Sequence, residues 1–276
     1  MLVALLLLPT VLATSSPKRG LIHIPSPAHP ADDAIWLSPP TDLTWYYNYA
    51  AAPSPALPAL HFVPQLWGAP SSDSDTAFLD AVRALLAAGT NVSHVLAFNE
   101  PDGAAGSGGS DVDPARAARA WNREIAPLRE LGVRLGAPAV TGAPAGMAWL
   151  RAFFEACGCE ADFVPVHWYG SFEGLASRVG EVRAAWPRAE IWVTDYITRY
   201  SYFGSFRSDV SNVGPNAAML TQDGELTDIG SWYLGRGATG NVPKGGKKKS
   251  GAVARGAAGW AAWVVAGVVV VALVVV

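Results

Sequence analysis

The sequence predicts an α/β protein built as a (β/α)8 barrel of the TIM type, lacking the helix between strands seven and eight. Three observations lead there. Short β-branched or aromatic runs alternate with amphipathic helical stretches along most of the chain. Aromatic, amide and carboxyl side chains gather at the C-terminal ends of the strand-like runs, where such barrels carry their chemistry. The alternating region, residues 18–237 of a 276-residue chain, also suits a single barrel, which commonly runs to ~250 residues.

The predicted strands are Arg19–Ile24, Leu43–Tyr49, His61–Trp67, His94–Asn99, Arg134–Val140, Phe163–Tyr169, Glu190–Tyr196 and Arg199–Phe203. Each is bounded by Gly, Pro or polar residues. Helices are predicted over Asp75–Ala88, Pro114–Leu131, Met147–Ala156 and Phe172–Trp186. Asp113-Pro114 offers an N-cap followed by Pro at the first helical position, and Gly89 and Gly132 offer stops. The last interval breaks the pattern. Tyr196 and Arg199 are separated by Ile197 and Thr198 alone, whereas parallel neighbours need a crossover of ~10–12 residues.

The ends read differently. Residues 1–13 carry an apolar run, Leu2–Leu8, then Val11-Leu12-Ala13, with small residues placed for signal-peptide cleavage. Residues 238–259 form a Gly/Lys-rich linker, and 260–276 an apolar tail. Ser250-Gly251-Ala252, a spacer and that tail fit a GPI signal, with a transmembrane anchor as the alternative. A span would place Lys247-Lys248-Lys249 outside, against the positive-inside tendency. Between residues 18 and 237 fifteen basic residues face 23 acidic ones, a net charge of −8. That excludes a nucleic-acid partner, which needs a basic face, and accommodates an uncharged polysaccharide.

Cys157 and Cys159 flank Gly158. A bridge there needs Gly158 to bend the chain, and two thiols without further ligands do not make a zinc site. The pair is expected to be structural or reduced, and neither a metal nor a cofactor is expected. Asn91-Val92-Ser93 is an N-glycosylation sequon, in keeping with secretion.

The strand ends supply the candidate site. Glu100, in Asn99-Glu100-Pro101, follows the apolar run Val95–Phe98 and is expected at the barrel mouth. Retaining glycosidases use two carboxyls ~5–5.5 Å apart, one acid/base and one nucleophile. Asp195, after Thr194 at the end of strand seven, offers the second position. Asn48, Trp67, Asn99, His167, Trp168, Tyr169, Trp192 and Tyr200 are the expected substrate-binding residues. Aromatic faces pack against the C–H faces of pyranoses, and polar groups bond the hydroxyls. Asp102, beside Pro101, reads as a loop residue.

Several motifs, in the same order, resemble the Asl1-like glycosyl hydrolases, glycoside hydrolase family 128. They are Lys18-Arg19-Gly20-Leu21, Asn99-Glu100-Pro101-Asp102, the Cys157/Cys159 pair before the run Phe163–Gly170, Trp192-Val193-Thr194, the run Arg199–Gly204 and the closing run Asp223–Tyr233. The resemblance spans about Lys18 to Leu234. It implies a (β/α)8 barrel, secretion by fungi and hydrolysis of β-1,3-glucan with retention, Glu100 being the acid/base. The family pattern then has a Glu nucleophile and a helix after Trp-Val-Thr. Here Thr194 is followed by Asp195-Tyr196-Ile197-Thr198-Arg199. Either Asp195 replaces that Glu, or residues 195–197 belong to the approach to strand eight and the nucleophile is deleted. The expectation is a secreted cell-wall β-1,3-glucan hydrolase, held at the outer face of the membrane by its tail or a GPI anchor. The alternative is a catalytically inactive glucan-binding wall protein.

Overall fold

A computed structural model describes residues 18–192, 199–209 and 217–241, and the backbone of Ala272–Val275. Eight parallel strands follow one another in space in chain order: β1 (Arg19–Ile22), β2 (Trp45–Tyr47), β3 (His61–Phe62), β4 (His94–Val95), β5 (Arg134–Leu135), β6 (Phe163–Tyr169), β7 (Glu190–Trp192) and β8 (Tyr200–Tyr202). β1 pairs with β2 and β8, β2 with β3, β4 with β5, and β6 with β7. Single parallel bridges link β3 to β4, Gln65 to Leu96, and β5 to β6, Gly136 to Phe163, and among the described residues no pairing joins β7 to β8. Six of the eight strands begin where the sequence placed them, while β2 begins at Trp45 rather than Leu43 and β8 at Tyr200 rather than Arg199. Most are shorter, because bends replace regular pairing at their C-terminal ends.

The helices are α1 (Asp33–Leu37), α2 (Ala77–Ala87), α3 (Pro114–Glu124), α4 (Pro144–Cys157), α5 (Phe172–Ala185) and α6 (Asp228–Tyr233). The expected Pro114–Leu131 helix stops at Glu124 and continues as a 3₁₀ turn over Ala126–Leu131. Pro127 lacks the N–H that a continuing α-helix would need. Asp113 caps α3 as its sequence position suggested, accepting from Ala115 N and Arg116 N. The short helices α1 and α6 carry too little apolar periodicity to be read from sequence. Only residues 193–199 separate β7 from β8, too few for a crossover helix and its loops.

The barrel interior is filled by rings. Trp192 stacks on Phe163 at 3.9 Å and meets Trp45 edge-on at 5.4 Å. Small residues on neighbouring strands make the room: a Cβ on Gly20 would lie 2.2 Å from the Trp45 ring, and one on Gly136 would lie 2.5 Å from Phe163. Outside, α2 to α5 pack a large apolar layer over the middle strands, while Trp36, Leu43 and Leu234 cover β1, β2 and β8. Tyr233 of α6 ties the β1–β8 pair, its hydroxyl donating to Gly20 O and accepting from Tyr202 N. Cys157 and Cys159 form a disulfide across Gly158, whose φ is +57°. Of the two states the sequence left open, the bridge is the one present.

A ninth strand, β9 (Ala272–Val275), runs antiparallel to Val166–Tyr169 of β6, beyond the stretch of β6 that pairs with β7. Among the described residues no helix is long and apolar enough to cross a membrane. The predicted signal peptide, Asp195, and the linker and tail apart from residues 238–241 and 272–275 lie outside the described residues.

Candidate active site

The site is built on the C-terminal end of β4. Val95 to Phe98 are buried and carry the chain out of the barrel. Asn99 N then donates to Trp67 O and Glu100 N to Ala139 O, which fixes the turn between the neighbouring strands. Glu100 sits in the left-handed region at φ +42°. An L residue is strained there and persists only where its surroundings impose it. The restraints are visible. Asp102 accepts from both the backbone N and the hydroxyl of Thr141, so it is the loop residue expected. Gly103 N donates to Glu100 O, and Ser110 N to Asn99 O. A Cβ on Gly109 would lie 2.2 Å from Gly103 O, so the 103–110 loop folds this closely only with Gly109.

Glu100 opens into a cavity of about 320 Å³ lined by Ile24, Tyr49, Trp67, Asn99, Glu100, Ser107, Gly108, His167, Tyr169 and Phe203. Its carboxylate Oε1 is 2.8 Å from Nδ1 of His167, which is 3% exposed. Asn99 Nδ2 donates to Gly108 O, and its Oδ1 is buried without a partner. Tyr49, itself at φ +60°, packs edge-on against Tyr47. Burial, then the charge of Glu100, pushes the Tyr49 phenol well above its usual range, so it stays a neutral donor. Trp67 and Tyr169 form the open rim. Among the described residues lining this cavity, Glu100 is the one carboxylate.

Glu100, Asn99, Trp67, His167 and Tyr169 therefore come together as the sequence suggested. Four other candidates lie elsewhere. Trp168 points to the outside of the barrel, because alternate residues of a strand face opposite ways. Its indole packs against Gly142 and Gly174 beside α5 and donates to Ser171 O. Trp192 is fully buried among the rings of the barrel interior. Tyr200 starts β8, at the opposite end from the cleft, and its hydroxyl accepts from Arg19 Nε. Asn48 shapes the turn after β2, donating to Ala52 O and accepting from Ala50 N. Asp195, the expected nucleophile position, is outside the described residues. Ile24, Tyr49 and Phe203 were not among the candidates. The position of Phe203 at the far end of its strand is the signal that favours it over Tyr200.

The catalytic-core model of the glycosyl hydrolases matches residues 20–197 and, in a second segment, residues 194–233. The chain belongs to the glycosyl hydrolase catalytic core family. Within it the chain is of the Asl1-like, family 128 type that the sequence motifs resemble. It is 27% identical over 255 residues to alkali-sensitive linkage protein 1 of Schizosaccharomyces pombe, a match covering 79% of this chain and 44% of that protein. The chain thus spans less than half the length of that curated relative. A curdlan-specific exo-β-1,3-glucanase of family 128, subgroup III, from Blastomyces gilchristii, solved with glucose, aligns at TM-score 0.61 and 25% identity. That alignment covers 80% of this chain and 98% of the other. A subgroup VII oligosaccharide-binding protein from Trichoderma gamsii aligns at TM-score 0.60 and 21% identity, over 79% and 92% of the two chains. The two segments of the family match overlap at residues 194–197.

Proposed function

We propose that this glycosyl hydrolase core is a secreted cell-wall protein that recognises β-1,3-glucan and hydrolyses it by double displacement, with turnover limited by the shortened 194–197 junction. The observation that carries this reading is Glu100. It is strained, held by the backbone of two neighbouring strands and paired to His167, in a cleft with an aromatic rim. In the proposed reaction Glu100 protonates the glycosidic oxygen while a strand-seven carboxylate attacks C1. Glu100 then takes the proton from the water that releases the sugar. Tyr49 donates to sugar hydroxyls as a neutral phenol, and Trp67 and Tyr169 pack against pyranose faces. No step calls on a metal or cofactor. The match to a β-1,3-glucanase solved with glucose supports the choice of ligand. The apolar first residues support secretion, and the apolar tail supports attachment at the outer membrane face.

The overlap at 194–197 favours a second reading, a glucan-binding wall protein that no longer cuts. A protein described as oligosaccharide-binding shares the fold. Laminarin digestion, followed by reducing ends and by the anomer of the first product, separates the two. Release of the β-anomer supports the retaining hydrolase. Binding of laminari-oligosaccharides without release of reducing ends supports the binding protein. Absence of both overturns the glucan reading.

A further inference from the structure

We propose that Asn91 carries an N-linked oligosaccharide, added before β3 and β4 dock. The proposal rests on the secreted reading for the chain's access to the modifying machinery. Its other grounds are local. Asn91-Val92-Ser93 is an acceptor sequence. α2 ends with Gly89 at φ +81°, Thr90 N donating to Leu85 O and Gly89 N to Leu86 O. That stop releases the chain into an irregular, solvent-facing loop. Asn91 is exposed there, and Val92 is buried and pins the loop to the core.

The loop lies at the N-terminal end of β4. The extended run from His94 to Asn99 puts ~17 Å between Asn91 and the cleft, so an oligosaccharide there leaves Glu100 accessible. The hydroxyl needed two residues on belongs to Ser93. In the fold it is 2.9 Å from His61 Nε2 and 2.7 Å from His94 Nδ1. It is thus bound between the first residues of β3 and β4, and the acceptor is the chain in which those strands have not yet met. In the transfer, Asn91 Nδ2 bonds to C1 of a lipid-linked oligosaccharide pyrophosphate. The C1–O bond to pyrophosphate breaks, the lipid pyrophosphate leaves, and the amide gives up one proton.

The test is expression of the full chain in a eukaryotic secretory host, with intact mass and peptide mapping before and after treatment with peptide N-glycosidase. Glycosidase-sensitive mass is expected, with aspartate left at position 91 after release. Asn91→Gln abolishes it, and Ser93→Thr, which keeps a hydroxyl, preserves it. Laminari-oligosaccharide affinity is unchanged in Asn91→Gln. Folded, unglycosylated protein offered to microsomes with the lipid-linked donor stays unmodified, whereas the unfolded chain is modified. Equal modification of both overturns the proposed order. Secreted protein bearing unmodified Asn91 overturns the site. A chain that fails to enter the secretory lumen overturns the secreted reading instead. The same chain behind a supplied leader then decides Asn91, with absence of the oligosaccharide overturning the proposal.

Discussion

Glu100 Oε1 and His167 Nδ1 lie 2.8 Å apart across the cleft, one at the end of β4 and the other near the end of β6. A carboxylate at Glu100 accepts from Nδ1–H, and a protonated Glu100 donates to a bare Nδ1. The pair can hold a proton in either state, as an acid/base residue requires. Glu100→Gln keeps the shape and removes the transferable proton. It is expected to lower laminarin hydrolysis ~100-fold or more, the usual scale for a general acid, while laminari-oligosaccharide binding persists. His167→Gln is expected to lower kcat more than it raises KM, because it misplaces the Glu100 carboxyl without removing a wall of the cleft. Steady-state rates and calorimetry on both variants check this.

Two tryptophans of similar appearance in the sequence are expected to behave differently. Trp67 is 40% exposed at the rim of the cleft, whereas Trp168 packs beside α5. Trp67→Ala is expected to weaken oligosaccharide binding by ~1–2 kcal/mol, the scale of one aromatic contact, with the melting temperature nearly unchanged. Trp168→Ala is expected to lower the melting temperature and leave intrinsic affinity alone. Equal loss of affinity in both would place Trp168 in the cleft after all.

How legible this was from sequence depended on the kind of signal. β6 was read to the residue because Phe163–Tyr169 is one uninterrupted run with a Gly after it. Glu100 was legible because a charged residue one position beyond the polar Asn99 that ends a buried apolar run has to leave the barrel. The facing of Trp168, Trp192 and Tyr200 was not. Each lies in a strand-like run, and its side is fixed by register, which the pleat reverses at every residue. Glu124 was also missed. It sits within an ordinary helical pattern, yet its buried carboxylate accepts from Phe78 N and Leu79 N across the helix interface.

Glu124 closes the N-terminus of α2, whose first N–H groups have no partner within the helix. Glu124→Ala would leave those two donors buried without an acceptor. It is expected to cost ~1–3 kcal/mol, the penalty for such groups. Urea denaturation checks this against Glu130→Ala on the exposed side of the following turn, where little change is expected.

His94 contributes to the loss of stability in acid. Burial, then the charge of Arg199, pushes its imidazole down to about 3. The unfolded chain has an ordinary imidazole near 6.5. Between those values the unfolded state binds a proton that the folded state refuses. The contribution is therefore intact above pH 6.5, shrinks as pH falls and is gone near the folded value. His61 is displaced downwards for the same first reason. Unfolding free energy is expected to fall between pH 7 and pH 5, and His94→Asn is expected to flatten that slope by up to one proton. Denaturant titrations at several pH values measure it.

The final expectation concerns the junction between β7 and β8. The structure leaves seven residues, 193–199, between β7 and β8. Fully extended they span at most ~25 Å, enough to return along a short strand but too few to include a crossover helix. If Asp195 takes the nucleophile position, its side chain is one methylene shorter than the family's Glu. The carboxyl pair then opens beyond ~5 Å, towards spacings that admit water. Laminarin hydrolysis is expected at least ~100-fold below a full-length relative, about 2.7 kcal/mol in barrier. Three proteins measured side by side decide it: this chain, its Asp195→Glu variant and a version with the family's strand-seven to strand-eight segment inserted. The insertion is expected to raise both turnover and melting temperature, and Asp195→Glu to raise turnover alone and by less. Turnover by the unaltered chain equal to that of the inserted version would show that the short junction still presents a working nucleophile.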